Sequence, residues 1–402
     1  MMIGTARLRL STMFFLEYFG MGVTFPIISL YLRDTLHFSG MQTGVVLAMA
    51  SVAAFVAPVV GALVADRVIA KERLLALCQV CAAVFLALLA YQTRYGAVVL
   101  LYLGYNVVFG PTIALASAIT FHHMSHARHY FGSVRLWGTV GWIAAAWLFS
   151  AGWLGCVPGA AVRDAFVIAA VTSVVLAGHM LLHHPVERLP GAATVIPWEA
   201  LRIVWQRRML LMALIVFLAS FFIRYYYVGA APFLAHRGVR PALIMPLMSL
   251  GQISEIGVML LLSAIVPRLG YQRSFMLGAC LALWQSAVFA LNAPWPFLIS
   301  GFLCHGLMYA LVNVTALMYV DSFCPREARA GVHQIFSIVG LGLATLSGSV
   351  VAGMALDWAA RATGGVDYGR FWLVNVVVAA LLLALAACSG PLLKDAPRLQ
   401  RV

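Results

Sequence analysis

Charged side chains are scarce in this sequence. Only 10% of its 402 residues are Asp, Glu, Lys or Arg, whereas soluble domains carry about 25%. Acidic side chains are the rarest, with 13 Asp and Glu against 26 Lys and Arg. The seven cysteines have no disulfide-framework spacing and are expected to be small buried hydrophobic residues. This composition excludes a cytosolic enzyme, a disordered chain and a collagen-like chain.

The sequence also lacks the patterns of several kinds of site. The basic residues behind the net charge of +13 are spread between apolar runs and form no continuous stripe for nucleic acid. The four histidines His122, His123, His126 and His129 could place three imidazoles on one helical face. No Cys or acid accompanies them in this basic segment, so we interpret them as a solvated cytoplasmic loop. We find no nucleophile with an adjacent base. We therefore expect no nucleic-acid partner, no metal, no cofactor and no enzymatic activity.

Long apolar runs dominate the sequence, which is 63% hydrophobic with a mean hydropathy of +0.96. A helix needs about 20 apolar residues to cross a bilayer, and twelve runs of that kind are bounded by charge. The predicted spans cover residues 11–32, 43–65, 74–93, 97–121, 135–155, 165–183, 209–234, 242–266, 274–292, 296–320, 331–356 and 371–393. The sequence therefore predicts an all-α integral membrane protein with twelve transmembrane helices.

The distribution of basic residues predicts the orientation. With the amino terminus inside, the cytoplasmic side holds 18 Lys and Arg and the opposite side holds 7. The first span follows a short basic leader without a small-residue cleavage site, so we expect it to be retained. We therefore expect a multi-pass protein of the plasma membrane (the bacterial inner membrane) with both termini cytoplasmic.

The longest cytoplasmic connection lies between spans six and seven and divides the chain into halves. Related segments, Ala62-Leu-Val-Ala-Asp-Arg67 and Ala264-Ile-Val-Pro-Arg268, end spans two and eight about half the chain apart. We predict two six-helix bundles, residues 1–184 and 209–402, joined by a cytoplasmic loop at residues 185–208. This is the layout of the major facilitator superfamily, whose solute site lies between the halves.

Ionisable residues inside a span are functional candidates, because they cost at least a few kcal/mol at bilayer depth. The candidates are Glu17, Arg224 and Glu255, together with Arg135 at the start of span five. Two alternatives stay open. Arg224 and Glu255 could form an ion pair that only fixes helix register, and Glu17 could reach the interface if its span starts later.

Helical spacing places further polar side chains on shared faces. These faces comprise Arg135, Thr139 and Trp142 in span five, Gln252 and Glu255 in span eight, and His305, Tyr309 and Asn313 in span ten. Several helices would then each offer a polar face to a solute cavity. Alternatively, the polar stripe of span ten serves only to hold helices together.

Two of these faces lie in motifs similar to those of the nucleoside:proton symporter family of the major facilitator superfamily. The motifs are Arg135-Leu-Trp-Gly-Thr139-Val-Gly-Trp142 and Gln252-Ile-Ser-Glu255. The resemblance implies that Arg135, Thr139, Gln252 and Glu255 contact a nucleoside, with an aromatic position at Trp142.

The sequence departs from that family at other positions. Arg224 and Tyr227 stand where the family presents amides, and Ala310 stands where it has a carboxylate, with His305 and Tyr309 close by. The stretch Tyr130-Phe-Gly-Ser-Val-Arg-Leu-Trp-Gly also resembles the phenylpropionate permease family, and an additional arginine suits a carboxylate solute.

We therefore expect a monomeric transporter that takes up nucleosides with protons by alternating access. Burial disfavours a charged carboxyl and a nearby arginine favours it, so small helix movements can load or release a proton. Glu255 is the first candidate for this coupling and Glu17 the second, while Asp66 and Arg67 resemble the superfamily's cytoplasmic gate. The alternatives are a permease for an aromatic or other organic carboxylate or a sugar, and a solute sensor that does not transport.

Overall fold

The computed structural model describes residues 2–60, 70–123, 127–181, 198–362 and 365–393. Within these ranges the regular structure is helical, apart from an isolated β-bridge between Ala360 and Val366. Asp66 and Arg67, the predicted cytoplasmic gate, lie outside the described residues. The all-α prediction is confirmed for the described part of the chain.

Twelve long helical segments follow one another along the described residues, and each overlaps one predicted span. They are α1 (Met2–Thr24), α2 (Gly40–Ala48, extended by Ala50–Val60), α3 (Lys71–Tyr91), α4 (Tyr95–His123), α5 (Ala127–Ala145), α6 (Asp164–Met180), α7 (Arg207–His236), α8 (Pro241–Leu269), α9 (Tyr271–Ala290), α10 (Trp295–Tyr309), α11 (Arg326–Ser337) and α12 (Tyr368–Cys388). Nine helices of the described residues are long and apolar enough to cross a membrane.

Several helices continue through π-helical turns. Tyr31–Thr35 follows α1, and Ala146–Leu154 continues α5. Ala310–Val314 continues α10 into Thr315–Phe323, and Ile338–Ala344 continues α11 into Thr345–Trp358. A π-helical turn changes which side chains share a face, and such turns are frequent at functional sites. The π-helical turn that begins at Ala310 therefore gives Tyr309 and Asn313 a different angular spacing from that of an α-helix.

Several boundaries differ from the predicted spans, and the starts of α5 and α11 are two examples. Helix α5 begins at Ala127 rather than 135, and α11 begins at Arg326 rather than 331. Both helices start in polar sequence that hydropathy places outside the bilayer but whose backbone still forms helical hydrogen bonds. A short helix, Trp198–Val204, also occupies part of the predicted central loop.

Helix α3 shows why the chain needs a bilayer. Its inward side buries residues such as Leu75 and Leu86, which are 0% and 1% exposed. Its opposite side exposes an apolar stripe, which consists of Leu77, Val80, Val84 and Leu88. A helix that is apolar on both sides is stable only where the surrounding solvent is itself apolar.

The chain forms two compact units. Unit 1 comprises Met1–Phe38, Val45–Ala193 and Leu234–Pro246, and unit 2 comprises Ser39–Gly44, Thr194–Phe233 and Leu247–Val402. Unit 1 has an aliphatic core built from α1, α3, α4, α5 and α6, with Leu75, Ala116 and Val134 fully buried.

Unit 2 has a more aromatic core. The Trp372 ring on α12 is fully buried, and its centroid lies 5.0 Å from both Phe289 and Phe371 and 6.2 Å from Tyr225. Such ring pairs contribute about 0.5–1.5 kcal/mol each beyond burial. This rigid core fixes the positions of α7, α9 and α12.

Candidate functional site

The polar centre of unit 1 lies where α1 crosses α5. Arg135 donates a hydrogen bond from Nη2 to the Tyr18 hydroxyl, and its guanidinium carbon lies 4.2 Å from the centroid of the same ring. The Phe14 ring lies on the other flank, 5.6 Å from that carbon. Tyr18 therefore holds Arg135 by a hydrogen bond and by a cation–π contact at once.

Two glycines of α5 make this crossing close. A Cβ added at Gly138 would lie 2.9 Å from the Tyr18 ring and 2.9 Å from Arg135 Nη1. A Cβ added at Gly141 would lie 2.3 Å from the Phe15 carbonyl oxygen. Glycines allow helix backbones to approach each other in membrane proteins. The predicted motif thus contains both the cation and the space in which α1 packs beside it.

Glu17 is deeply buried in α1, at 2% exposure, so the alternative that it reaches the interface is not supported. Neither carboxylate oxygen has a hydrogen-bond partner among the described residues. Its neighbours include Thr112 and Tyr105 of α4, and Arg135 is close enough to act on it electrostatically. The Thr112 hydroxyl donates at 2.6 Å to the Phe109 carbonyl oxygen.

The other predicted residues of α5 lie along the same helix face. Thr139 is half-buried. Trp142 contacts the end of α1, because its backbone lies against Gly22 and its ring centroid lies 5.7 Å from that of Phe25, the residue that follows the helix. Arg135 and Trp142 thus both contact α1, one at each end of the predicted face.

The polar centre of unit 2 is built around Tyr227 of α7. Gln252 donates from Nε2 to the Tyr227 hydroxyl at 3.0 Å. Glu255 and Tyr309 are near enough to influence that hydroxyl electrostatically. The structure therefore brings four of the predicted binding residues together, and Tyr227 is the residue they share.

Arg224 lies one turn before Tyr227 on α7 and is 5% exposed. It donates from Nε to the Ser349 hydroxyl at 2.7 Å. Gly348 leaves room for this arginine, since a Cβ there would lie 3.2 Å from Arg224 Cβ. Sequence reasoning missed Ser349, because a serine in an apolar span carries no signal of its own.

His305 packs inside unit 2. Its ring stacks on Tyr226 with 3.8 Å between centroids, and its Nδ1 lies 3.3 Å from Gln285 Nε2. It also meets the Tyr227 ring edge-on at 5.7 Å. Asn313, within the π-helical turn that follows α10, accepts a hydrogen bond from Ser220 at 3.3 Å. Both residues thus contact α7, as expected if the polar stripe of span ten serves to hold helices together. The role of His305 in binding stays a prediction.

One histidine of the predicted solvated loop has an acidic partner. His123 Nε2 lies 2.9 Å from Glu72 Oε1, and Glu72 is 2% exposed. The expectation that no acid accompanies these histidines is wrong, because the start of α3 brings Glu72 to the end of α4. Among the described residues no three His, Cys, Asp or Glu side chains are grouped as metal ligands.

Comparison with known proteins identifies the family. A family model described as nucleoside H+ symporter matches residues 4–389. The chain belongs to this family. The match covers both polar centres and both motifs on which the resemblance was based.

Relatives agree with this membership. The chain is 27% identical to the putative nucleoside transporter YegT of Escherichia coli K12 over 362 residues, which is 87% of this chain and 84% of that protein. It is 24% identical to the xanthosine permease of the same organism over 391 residues, 91% of each chain.

A solved structure shows the same fold. The crystal structure of the nucleoside transporter NupG superposes with a TM-score of 0.83 at 21% identity, covering 95% of this chain and 98% of that one. The predicted all-α membrane architecture of the major facilitator superfamily is confirmed. Family membership implies a small-molecule solute and protons as the coupling ion.

Proposed function

We propose that this protein takes up nucleosides across the membrane together with protons, by alternating access. The observation that carries the proposal is the family match over residues 4–389, which spans both polar centres. As a transporter of this kind it would change no covalent bond in its solute. A charged side chain at bilayer depth is costly, so its retention in these centres favours a functional role.

Each centre offers the solute a donor fixed by a tyrosine. In unit 1, Arg135 keeps further N–H donors beside the one given to Tyr18, because a guanidinium has five. In unit 2, Gln252 donates one amide hydrogen to Tyr227 and keeps its carbonyl oxygen for a ligand. We assign solute binding to Arg135, Thr139, Gln252 and Glu255, with Trp142 and Tyr227 as rings on which a base can stack.

The remaining expectations extend the proposal. Glu255 is the first proton carrier and Glu17 the second, and Asp66 with Arg67 closes the cytoplasmic side. We also propose bundles at residues 1–184 and 209–402, both termini in the cytoplasm, residence in the bacterial inner membrane, and function as a monomer. The excess of basic residues in alternate loops supports the orientation.

Uptake by membrane vesicles tests this function. Wild-type vesicles should accumulate labelled uridine or adenosine when an inward proton gradient is imposed. Glu255→Gln should abolish accumulation while leaving exchange across equilibrated membranes. Glu199→Gln is the matched control, because Glu199 is exposed on the short helix Trp198–Val204 and should leave accumulation unchanged.

Accumulation at the wild-type level in Glu255→Gln would remove that residue from proton coupling. Binding of a nucleoside without any accumulation would indicate a sensor instead of a transporter.

The buried arginine of unit 2 favours a second candidate, a permease for an organic carboxylate. A carboxylate can accept two parallel hydrogen bonds from a guanidinium, which a neutral nucleoside cannot match in charge. A thermal-shift panel of nucleosides, aromatic acids and sugars on the purified protein separates the two, because a ligand of the folded state raises its apparent stability. Stabilisation by an aromatic carboxylate but by neither uridine nor adenosine would replace the first proposal with the second.

A further inference from the structure

Glu17 and Arg135 lie near each other in unit 1 without forming an ion pair. Among the described residues neither oxygen of Glu17 has a hydrogen-bond partner, although Arg135 is close enough to act on it electrostatically. Arg135 donates instead to the hydroxyl of Tyr18, the residue next to Glu17 in the chain. A buried carboxylate and a guanidinium at short range ordinarily pair, because each otherwise loses its hydration without compensation.

Packing keeps the guanidinium on Tyr18. The Tyr18 ring lies under it at 4.2 Å, and the Phe14 ring lies at 5.6 Å on a second flank. Gly138 provides the space, since a Cβ there would lie 2.9 Å from both the Tyr18 ring and Arg135 Nη1. The tyrosine hydroxyl, its ring and a glycine thus define one position for Arg135.

The other groups near Glu17 are neutral, and among the described residues none forms a hydrogen bond with its carboxyl oxygens, although the Thr112 hydroxyl lies close to them. Tyr105 of α4 is a phenol whose own hydroxyl is deeply buried, and Thr112 donates its hydrogen to the Phe109 carbonyl oxygen. Within the described part of unit 1, Arg135 is the cation whose charge reaches Glu17. The state of Glu17 therefore depends on where Arg135 is held.

We infer that Tyr18 is a positioning residue that keeps Arg135 away from Glu17, so that Arg135 stays available to the solute and Glu17 stays able to bind a proton. This inference rests on the proposed function in its assignment of the solute to Arg135. The two roles conflict without Tyr18, because an ion pair would occupy the donors of Arg135 and would hold Glu17 ionised.

The Tyr18→Phe variant isolates this role. It keeps the ring beneath the guanidinium and removes the hydrogen-bond acceptor. Arg135 should then turn to Glu17. Uridine binding should weaken about tenfold or more, as expected when a charged group takes a competing partner.

A double variant distinguishes positioning from direct contact. In Tyr18→Phe/Glu17→Gln the competing carboxylate is absent, so uridine binding should return to within about threefold of Glu17→Gln alone, the range that ordinary non-additivity allows. An equal loss in both backgrounds would show that Tyr18 acts through the solute or through general packing, and would overturn the inference.

Infrared spectroscopy on the solute-free protein supplies a readout that does not depend on transport. The wild type at neutral pH should show a protonated carboxyl band that disappears in Glu17→Gln. Tyr18→Phe should lose at least half of that band, because the new ion pair favours the carboxylate. Absence of the band from the wild type, or its full intensity in Tyr18→Phe, would overturn the inference.

The two proposals can fail separately. If the wild type binds neither uridine nor adenosine, the proposed function fails, and the infrared bands alone decide the role of Tyr18.

A glycine pair gives a second test. Gly138→Ala should displace the Tyr18–Arg135 pair and reduce the same band, whereas a Cβ at Gly132, earlier on α5, meets nothing within 4 Å. Gly132→Ala is therefore the matched control and should leave the band and uridine binding unchanged. Equal bands in the two glycine variants would contradict the positioning of Arg135 by this packing.

Discussion

The buried ionisable residues at the two polar centres, Arg224 in unit 2 and Glu17 in unit 1, differ in their hydrogen-bond partners. In unit 2 the buried cation Arg224 donates to Ser349 at 2.7 Å, and Gln252 donates to Tyr227 at 3.0 Å. In unit 1 the buried acid Glu17 has no hydrogen-bond partner for either oxygen among the described residues. Arg224 of unit 2 thus has a local partner, as Glu72 of unit 1 has in His123, whereas Glu17 has none among the described residues.

Two neutral amides in unit 2 are partly satisfied, in contrast to Glu17. Gln285 Oε1 and Asn313 Nδ2 also lack partners within the described residues, yet the other end of each amide contacts His305 or Ser220. An unsatisfied buried polar group costs about 1–3 kcal/mol. The fold therefore tolerates Glu17 at a cost in stability, which is consistent with the proposal that Glu17 carries a proton.

The largest effect on stability is expected at the hydrogen bond of Arg224. Ser349→Ala removes the acceptor of Arg224 Nε inside unit 2. Loss of a hydrogen bond to a buried charge should lower the free energy of unfolding by about 2 kcal/mol. Thermal unfolding of the purified protein in detergent measures this as a fall in apparent Tm.

Ser347→Ala is the control for that change. Ser347 lies on the same helical segment, Thr345–Trp358, and its hydroxyl donates to the Leu343 and Ala344 carbonyl oxygens of the preceding turn. Its removal should change the free energy of unfolding by less than about 0.5 kcal/mol, as for a serine that bonds only to its own helix. Equal falls in Tm for the two serines would show that Arg224 gains nothing from Ser349.

Glu17 should respond in the opposite direction. Glu17→Leu replaces an unpartnered buried acid by an apolar side chain, so the protein should be stabilised by about 1 kcal/mol. The same variant should lose proton-driven accumulation of nucleoside in vesicles. The unfolding midpoint and the uptake assay on one preparation measure both effects.

A fall in stability comparable to that of Ser349→Ala would contradict the comparison. It would mean that the surroundings of Glu17 stabilise its carboxyl group as effectively as Ser349 stabilises Arg224.

The helices could be predicted because each apolar run is bounded by charge or by turn residues. Hydropathy could not reveal the π-helical turn at Ala310–Val314. Such a turn differs from an α-helical one in its backbone hydrogen bonds, and the apolar composition of the segment carries no information about them. The face that was predicted to join His305, Tyr309 and Asn313 therefore changes register after Tyr309.

The polar centres could be predicted only in part. The residues Arg135, Gln252 and Glu255 stand out as costly groups within apolar runs. Their partners do not, because Tyr18 is 117 residues from Arg135 and Ser349 is 125 residues from Arg224. Such pairs depend on which helices pack together, and spacing along one helix carries no information about that.

The smallest effect is expected at a charge outside both centres, Asp367, which precedes α12 in unit 2. Its carboxylate accepts from the backbone N–H of Arg370 at 3.3 Å and lies 3.3 Å from Arg361 Nη2. The backbone hydrogen bond from Arg370 and, after it, the Arg361 guanidinium hold the pKa of Asp367 below its usual value. Because the folded pKa is below the unfolded one, the contribution to stability is present above the unfolded pKa and is lost as the pH falls through the folded pKa.

Asp367→Asn tests that pH dependence. Asparagine caps a helix as well as aspartate does, so the variant removes the charge and retains the cap. At pH 7 it should cost about 0.5 kcal/mol, as for exposed ion pairs, and the difference from wild type should shrink as the pH falls below about 4. Thermal unfolding between pH 7 and pH 3 measures the difference. A difference that persists unchanged at pH 3 would show that Asp367 stabilises unit 2 through packing. The charge of its carboxylate would then have no role in stability.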